Sequence, residues 1–456
     1  MTVPELAYIA DVVNLFGKQP DLTDYLQNRL HGEKGKIMFQ IRQARSTDHD
    51  GILELIARGF AKRSAELDPA EGEEHRTLFR YLYSLPDWRW EQAVVAEADG
   101  RLAAAVGFFP QILRFESVAI PIWAISPVVT DPDFRGFSLA SQCLTTGIAT
   151  FQRQGVPGVF LWGLPDYYPK FGFVPLLPRY RTRIVMERWR PLPPPALAAG
   201  KFRTIHESDL EPIGNLYDSA NRGRWLQPLR NQQWWRRRFA ELDTDSAELR
   251  EVPFPHLRNF WVWETTSGII AGYLYFREEN NRRRIIITEA AATGYEIASA
   301  MLHAFLTAKG KSFQEVTILG TPQHWLNYAA YHQGGTHLNP APRAGMIRIG
   351  DWDSFLRQLC PVLQQRWERS GGYRPQNQFQ FRFKTEPLIL TIETAPHWRI
   401  SLIGTPVQPE TTQRLHRLVF GLYDWRDLEQ IDGDAAMLPV FFPEQAPFIW
   451  DANYLY

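Results

Sequence analysis

The chain has 456 residues, of which 45% are apolar and 22% charged, a balance typical of a globular protein rather than a disordered one. Its 50 lysines and arginines equal its 50 aspartates and glutamates, so no long-range field favours nucleic acid or an anionic membrane as a partner. No stretch approaches the roughly 18 consecutive apolar residues needed to cross a bilayer. The N-terminus also lacks the basic leader of a secretory signal. We therefore expect a cytoplasmic protein with two or three packed domains.

Cysteine and histidine usage predicts no metal site. Cys143 and Cys360 are far apart, and neither has a Cys or His partner at zinc-ligand spacing. The 11 histidines form no HExxH or comparable pair. We expect ordinary thiols of a reducing compartment.

The rest of the chain contains two similar units, described below, and residues 1–38 match neither of them. Met38 directly precedes the first strand-like segment. The simplest interpretation is a loosely held helical extension, or a mis-set start codon. A functional lid or an oligomerisation arm is the alternative.

The first unit begins with a strand at Ile41-Arg42, a capping sequence at residues 46–48 and an amphipathic helix that presents Ile52, Leu55 and Ile56. Residues 92–97 and 102–108 then flank a short polar turn, which predicts a β-hairpin.

The most informative segment runs from residue 125 to residue 140. An apolar strand leads into a turn at Asp131-Pro132, and a loop of mostly small residues then meets the start of a helix that continues to about Arg153. Such a loop directs several unpaired backbone N–H groups to one point, with the helix dipole behind them. That arrangement suits a pyrophosphate, although the composition of this loop also occurs in ordinary packing. A second apolar strand is predicted at residues 156–161.

Closely spaced prolines in residues 191–200 predict a semi-rigid linker. After it, Phe202-Arg203, Ser208-Asp209 and an apolar series from Ile213 repeat the start of the first unit at a constant offset of 161 residues (Arg42 to Arg203). Residues 259–265 and 268–276 again predict a hairpin. We infer two copies of one module.

The sequence pattern changes again from about Trp352. It predicts a helix at residues 355–367 and strands at 378–384, 388–394 and 398–403. We predict a third domain. The aromatic-basic runs at residues 234–238 and 282–284 are interpreted as solvated or ion-paired arginines, because the net charge is zero. No nucleic-acid partner is expected.

The spacing Arg135-x-x-Ser138-x-Ala140 resembles the acyl-CoA loop of the GNAT acetyltransferase superfamily, in which Gln or Arg is followed by x-x-Gly-x-Gly/Ala. Ser138 stands in place of the middle glycine, which should reduce the closeness of backbone approach but leaves a hydroxyl able to contact phosphate. Downstream, Tyr168-x-x-Phe-Gly-Phe is similar to the sequence motif with which many GNAT domains close the cofactor-binding slot.

Over residues 39–456 the chain resembles the enhanced-intracellular-survival type of acetyltransferase: an α+β protein with two tandem GNAT folds and a domain resembling sterol carrier protein. The expected ranges are an extension (1–38), a catalytic GNAT domain (39–190), a linker (191–200), a degenerate GNAT domain (201–350) and the sterol-carrier-protein-like domain (351–456). The second copy has Ala290-Ala291-Ala292-Thr293-Gly294 where a phosphate loop should be. We therefore expect it to serve as a scaffold that helps to wall the substrate cleft.

The resemblance implies an acetyl-CoA-dependent N-acetyltransferase in which a primary amine attacks the thioester directly in a ternary complex. Tyr168 matches the position of the general acid, with Tyr167 as the neighbour that a one-residue shift would select. The alternative is that Tyr168 is an ordinary core tyrosine. The C-terminal carboxylate of Tyr456 corresponds to the base, and purely structural docking of this aromatic-rich end is equally compatible with the sequence. The residues implied to bind acetyl-CoA are Val128, Val129, Thr130, Arg135, Gly136, Phe137, Ser138, Leu139 and Ala140.

Composition does not choose among an aminoglycoside, a polyamine and a lysine side chain as the small amine substrate. A homo-oligomer is expected, because relatives of this architecture assemble into rings. The rival hypothesis is a non-catalytic acyl-CoA sensor or scaffold, which Ser138 and the degenerate second copy make plausible.

Overall fold

The structure is a computed structural model that describes residues 38–61, 69–85, 87–191, 198–243, 259–279, 283–338, 345–371 and 376–445. The statements below concern these residues. The strands are β1 Phe39–Gln43, β2 Ala93–Ala98, β3 Arg101–Phe109, β4 Ile112–Phe115, β5 Val118–Thr130, β6 Gly158–Trp162, β7 Val174–Leu177, β8 Arg181–Val185, β9 Gly200–Thr204, β10 Trp225–Pro228, β11 Phe260–Thr265, β12 Ile270–Glu279, β13 Arg284–Ala292, β14 Glu315–Leu319, β15 Thr336–Leu338, β16 Gly345–Ile349, β17 Gln378–Phe383, β18 Leu388–Glu393, β19 Arg399–Ile403 and β20 Ile431–Gly433.

The helices alternate with these strands. They are α1 His49–Ala61, α2 Pro69–Tyr83, α3 Leu139–Arg153, α4 Leu210–Ala220, α5 Gln232–Asp243, α6 Tyr295–Lys309, α7 Trp325–His332, α8 Trp352–Arg369, α9 Pro409–Val419, α10 Trp425–Leu428 and α11 Leu438–Phe441.

Two large sheets have matching strand orders. The first runs β1-β2-β3-β5-β6-β16-β7, with β4 and β10 attached at the β5 hairpin, and the second runs β15-β8-β14-β13-β12-β11-β9. In each sheet the central pair, β5 with β6 or β13 with β14, is parallel, and the strands before it are antiparallel. The architecture is a mixed α+β fold, as the sequence predicts.

In its main strand order, each large sheet includes one strand from the other unit. Strand β16 lies between β6 and β7 of the first sheet, whereas β8 lies between β14 and β15 of the second. The sequence patterns did not reveal this exchange, because periodicity identifies a strand and not its partner.

The repeat seen in the sequence extends to individual contacts. Arg42 forms ion pairs with Asp48 and with Glu97 of the neighbouring strand. In the second unit Arg203 pairs in the same way with Asp209, at 2.6 Å, and with Glu264, at 3.1 Å. In both units the carboxylate of the helix-start aspartate also accepts a backbone N–H three residues earlier. The first strand of each unit is thereby fixed to the first helix.

The C-terminal region packs on the first sheet. Helices α1, α2 and α8 share one hydrophobic core with the face of that sheet that includes Phe160, Ile347 and Ile349. Helix α3 covers the opposite face in a separate core with Val159 and Leu161. The four-stranded third sheet, β19-β18-β17-β20, closes the C-terminal region behind α8. In the described part of the chain, no helix combines the length and apolarity needed to cross a membrane.

Candidate functional site

The open edge of β5 is the centre of the candidate site. Strand β5 pairs with β3 as far as Thr130, but with β6 only at residues 122–124. Beyond Ala124 the two parallel strands diverge, so residues 125–130 have no strand partner on that edge among the described residues. The gap between β5 and β6 exposes backbone hydrogen-bonding groups to an incoming ligand.

The direction of these groups follows from strand alternation. The N–H of Asp131 donates to the carbonyl of Ala103 on β3. Since successive residues in an antiparallel ladder point to opposite edges, the N–H groups of Val128 and Thr130 face the gap and that of Val129 faces β3. Of the three candidates in this strand, Val128 and Thr130 are therefore oriented to bind a ligand through the backbone. The buried Val129 side chain instead contacts α1 at Gly59.

A β-bulge bends β5 at the start of the gap. The register with β3 shifts between Val106 and Phe108, opposite Ser126-Pro127. A Cβ atom on Gly107 would lie 2.5 Å from the carbonyl oxygen of Ser126, so this close approach requires glycine. Bulges of this kind bend a strand and re-aim its side chains next to functional sites.

The loop after β5 is held in place by an ion-pair network. The carboxylate of Asp131, 2% exposed, accepts hydrogen bonds from Arg101, at 2.7 Å, and from the backbone N–H of Asp133, at 2.9 Å. Arg58 of α1 contacts the carboxylates of both Asp131 and Asp133. The hydrogen bond from Arg101, and secondly the one from Arg58, lower the pKa of Asp133. The start of the loop is thus fixed to α1 and β3.

The remaining loop residues bring the chain onto the start of α3. Gly136 has φ 90° and Ser138 has φ 55°, so both adopt the left-handed conformation. Ser138 is the N-cap residue of α3, and its hydroxyl makes no cap hydrogen bond. The first intrahelical bond is Gln142 N–H to Ser138 O, which leaves the N–H groups of the first turn available. This helix start is a suitable anion site.

Side chains of the other predicted cofactor residues mainly support the loop. Arg135 donates to the carbonyl of Gly59 at 3.0 Å, and the Phe137 ring packs 5.3 Å from that of Phe39. Leu139 is buried in the core under α3, and Ala140 is partly buried. These residues can contribute backbone groups to a ligand.

The two candidate tyrosines lie in different surroundings. Tyr168 is 8% exposed, and its ring packs against Gly163 and edge-on to Phe173. The hydroxyl of the half-buried Tyr167 is 2.8 Å from the hydroxyl of Ser141 in the first turn of α3. Burial raises the pKa of Tyr167, and the hydrogen bond with Ser141 opposes this shift. Ser141 was missed by the sequence reasoning, because no pattern marks a contact between residues 26 positions apart.

Tyr456 lies outside the described residues, so its position in the fold stays a prediction. Within the described ranges, no group of three or more His, Cys, Asp or Glu side chains lies close enough together to hold a metal ion.

The equivalent place in the second sheet has no such loop. Strand β13 ends at Ala292 and α6 begins at Tyr295, so two residues connect them, whereas eight (131–138) connect β5 and α3. Next to this junction, Glu289 forms a buried bidentate ion pair with Arg230 and accepts a hydrogen bond from Tyr273. This site is filled by the protein's own side chains.

Comparisons with known proteins agree with this geometry. Residues 40–176 match the family model described as an acetyltransferase (GNAT) domain. A sequence search of curated proteins finds no match.

Among solved structures, a probable N-acyltransferase from Enterococcus faecalis V583 is similar with a TM-score of 0.63 and 14% identity, over 91% of this chain and 99% of that one. A GCN5-related N-acetyltransferase from Anabaena variabilis ATCC 29413 has a TM-score of 0.63 and 13% identity, over 90% and 99%. Eis1 from Mycobacterium abscessus has a TM-score of 0.57 and 13% identity, over 90% and 97%. At these identities the similarity concerns the fold. The family match shows that the protein contains a GNAT acetyltransferase domain at residues 40–176, and the protein is therefore a transferase.

Proposed function

We propose that the protein is an acetyl-CoA-dependent N-acetyltransferase that transfers the acetyl group to a primary amine. The observation that carries the proposal is the open edge of β5 at Val128 and Thr130, which lies directly before the free N-terminus of α3. The helix start would hold the pyrophosphate, and the gap between β5 and β6 would receive the pantetheine arm and the thioester.

The reaction is direct attack in a ternary complex. The amine nitrogen attacks the thioester carbonyl carbon to form the C–N bond, while backbone N–H groups of Val128 and Thr130 stabilise the developing oxyanion. The C–S bond then breaks, and the CoA thiolate leaves and takes a proton from Tyr168. The proton lost by the amine passes to a base, for which we propose the carboxylate of Tyr456 or a water that relays to it.

We propose that the substrate cleft lies between the first and second units. We propose a catalytic GNAT domain at 39–190, a degenerate GNAT domain at 201–350 and a sterol-carrier-protein-like domain at 351–456, as in the enhanced-intracellular-survival type. The short β13–α6 connection and the buried Arg230–Glu289 pair favour a scaffold role for the second unit. The exchange of β8 and β16 would keep the first two units together. We further propose a cytoplasmic homo-oligomer.

The amine is proposed to be an aminoglycoside, a polyamine or a lysine side chain. The second candidate function is a non-catalytic acyl-CoA sensor, which Ser138 in the left-handed N-cap position favours, because a side chain there limits how closely a phosphate can approach.

Calorimetric titration of acetyl-CoA into the purified protein, followed by a screen of amines for acetylation, tests the proposal. We expect one site per chain and turnover with at least one amine class. Binding without turnover over all three classes would favour the sensor. No binding, verified by a second method, would contradict both.

A further inference from the structure

A second cavity lies at the opposite end of α3 from the candidate cofactor loop. Its volume is about 560 Å³, and it is lined by the later part of α3, the segment after Tyr168, strand β16 with the residues that follow it, and residues 405–413 at the start of α9. Its lining on α3 runs from Thr145 to Gln152, roughly 9 to 20 Å along the helix axis from Leu139. The cavity is therefore formed jointly by the GNAT domain and the C-terminal region, away from the gap between β5 and β6.

The charge of the cavity is one-sided. Arg348 and Lys170 are its ionisable lining residues, and no aspartate or glutamate belongs to the lining. The ammonium of Lys170 lies 4.2 Å from the ring centroid of Tyr167 and pairs with no carboxylate among the described residues. The remaining polar lining groups are threonines and glutamines, which are neutral.

Arg348 occupies an unusual position. It lies on β16 two residues after the buried Met346, so it points to the α3 face of the first sheet. In the part of the chain that the structure describes, it makes no hydrogen bond or ion pair, whereas the partly buried Arg42 and the buried Arg366 both pair with carboxylates. Burial lowers the pKa of Arg348, although the group stays charged at neutral pH. A partly desolvated cation without a counter-ion costs free energy that an anionic ligand would recover.

The C-terminal wall of the cavity is anchored by a neutral histidine. The Nε2 atom of His416 on α9 accepts the backbone N–H of Ile349 at 3.1 Å, and Nδ1 donates to the carbonyl of Thr412 at 2.7 Å. Trp352 packs edge-on to the His416 ring. These contacts fix α9 against the end of β16, so the cavity is a defined space rather than a gap between loosely placed units.

We propose that this cavity binds a small organic anion, with Arg348 as the principal contact for a carboxylate, phosphate or sulfonate group. Apolar lining residues, including Ile148, Phe173, Trp352 and Val407, would accommodate an apolar or aromatic body. The volume lies within the range of small-molecule sites, roughly 300 to 1,000 Å³. The proposed ligand is chemically distinct from a primary amine, and its site is separate from the cofactor loop.

Fluorescence titration with two naphthalene probes tests the proposal on the full-length protein. The anionic probe is 8-anilinonaphthalene-1-sulfonate, and the neutral one is N-phenyl-1-naphthylamine, which has the same body without the sulfonate. We expect the anionic probe to bind one site per chain, about tenfold more tightly than the neutral probe. The substitution Arg348→Met should weaken the anionic probe by about tenfold or more and leave the neutral probe unchanged.

Arg153→Met is the matched control, because Arg153 is an exposed arginine at the end of α3 outside the lining. It should leave the affinity for both probes unchanged. Lys170→Met removes the second cation from an exposed position, where folding is not at risk, and should weaken only the anionic probe. Equal affinity of wild type and both lining variants for the anionic probe would overturn the proposal. Displacement of that probe by acetyl-CoA would also overturn it, since the cavity would then belong to the cofactor site.

Discussion

Tyr167 and Tyr168 are adjacent and have the same side chain, but they lie in different surroundings. The turn before Pro169–Phe171 directs Tyr168 into the core beside β6 and Tyr167 onto the first turn of α3. A hydrogen bond to Ser141 makes Tyr167 a positioning residue for the start of the helix. Tyr168 lies beside the end of β6, where the gap from β5 begins, which favours it as the acid.

We expect Tyr168→Phe to lower turnover by about tenfold or more, because the leaving thiolate loses its proton donor. Acetyl-CoA affinity should not change. Steady-state kinetics with calorimetric binding would measure both quantities. In Tyr167→Phe the loss of the Ser141 contact should weaken acetyl-CoA binding more than it lowers turnover. A variant of Tyr168 with wild-type turnover would remove this residue from the mechanism.

Ser138 carries backbone strain, since a side chain at φ 55° is disfavoured. Ser138→Gly should therefore stabilise the protein by roughly 1 kcal/mol, and Ser138→Val should destabilise it by a similar amount or more, because a β-branched residue tolerates this conformation poorly. Urea denaturation would measure both. If the two variants were equally stable, strain at this position would be ruled out.

At the scale of elements, the bulge in β3 and β5 decides where the strand edge opens. Because Gly107 has no Cβ atom, the carbonyl oxygen of Ser126 can approach it closely, and the two strands remain paired on both sides of the irregularity. The ion pairs of Asp131 with Arg58 and Arg101 then fix the loop that follows β5. The gap and the loop are therefore positioned by neighbouring elements.

Gly107→Ala should separate β3 from β5, because the new methyl group meets backbone that cannot rotate away. We expect a loss of about 2 to 4 kcal/mol in unfolding free energy and a reduced affinity for acetyl-CoA. Gly294→Ala is the control, since a Cβ atom there would meet no atom closer than 3.7 Å and φ is −178°. Denaturation and binding would be compared for both variants. Equal stability would show that the bulge adapts easily.

At the scale of the whole molecule, the units are joined by specific contacts. Arg366 of α8 pairs with Glu116 in the turn between β4 and β5, and the rings of Phe115, Trp225, Phe355 and Phe420 pack together where three regions meet. Strand β10 of the second unit pairs with β4 of the first. Together with His416, these contacts link the C-terminal region to the first sheet.

The His416 contact predicts a pH dependence. Burial, with a contribution from the charge of Arg348, lowers the pKa of His416 to about 4, so the native state keeps the ring neutral while the unfolded chain takes up a proton near pH 6.5. Between these values the unfolded state binds more protons. Stability is therefore fully present above about pH 6.5 and is lost as the pH falls toward 4.

Melting temperatures measured between pH 7 and pH 4.5 should fall less in His416→Gln than in wild type, since glutamine does not titrate. Buried His324, whose pKa is lowered to about 3, also makes stability fall at low pH. Because it is present in both proteins, its effect cancels in the comparison. Parallel pH profiles for the two proteins would contradict the assignment.

The sequence by itself determined the first strand and helix of each unit, the two hairpins and the strand–loop–helix segment that ends near Arg153. These features depend on local periodicity, capping and spacing, which neighbouring residues encode. The start of the first unit, predicted around Ile41 and Ile56, forms β1 and α1, and the helix predicted to end near Arg153 ends there. The resemblance of the loop to the GNAT pattern agrees with the family match over residues 40–176.

Only the tertiary structure decided the contacts between distant segments. The exchange of β8 and β16, the contact of Tyr167 with Ser141 and the burial of Arg348 beside α9 depend on strand pairing and packing across long separations. Hydrophobic patterning indicates that a residue is buried, but it does not identify the residues against which it packs, because many partners satisfy the same alternation. For that reason the strand–loop–helix segment at residues 125–153 could be predicted from the sequence, whereas the strand exchange and the second cavity could not.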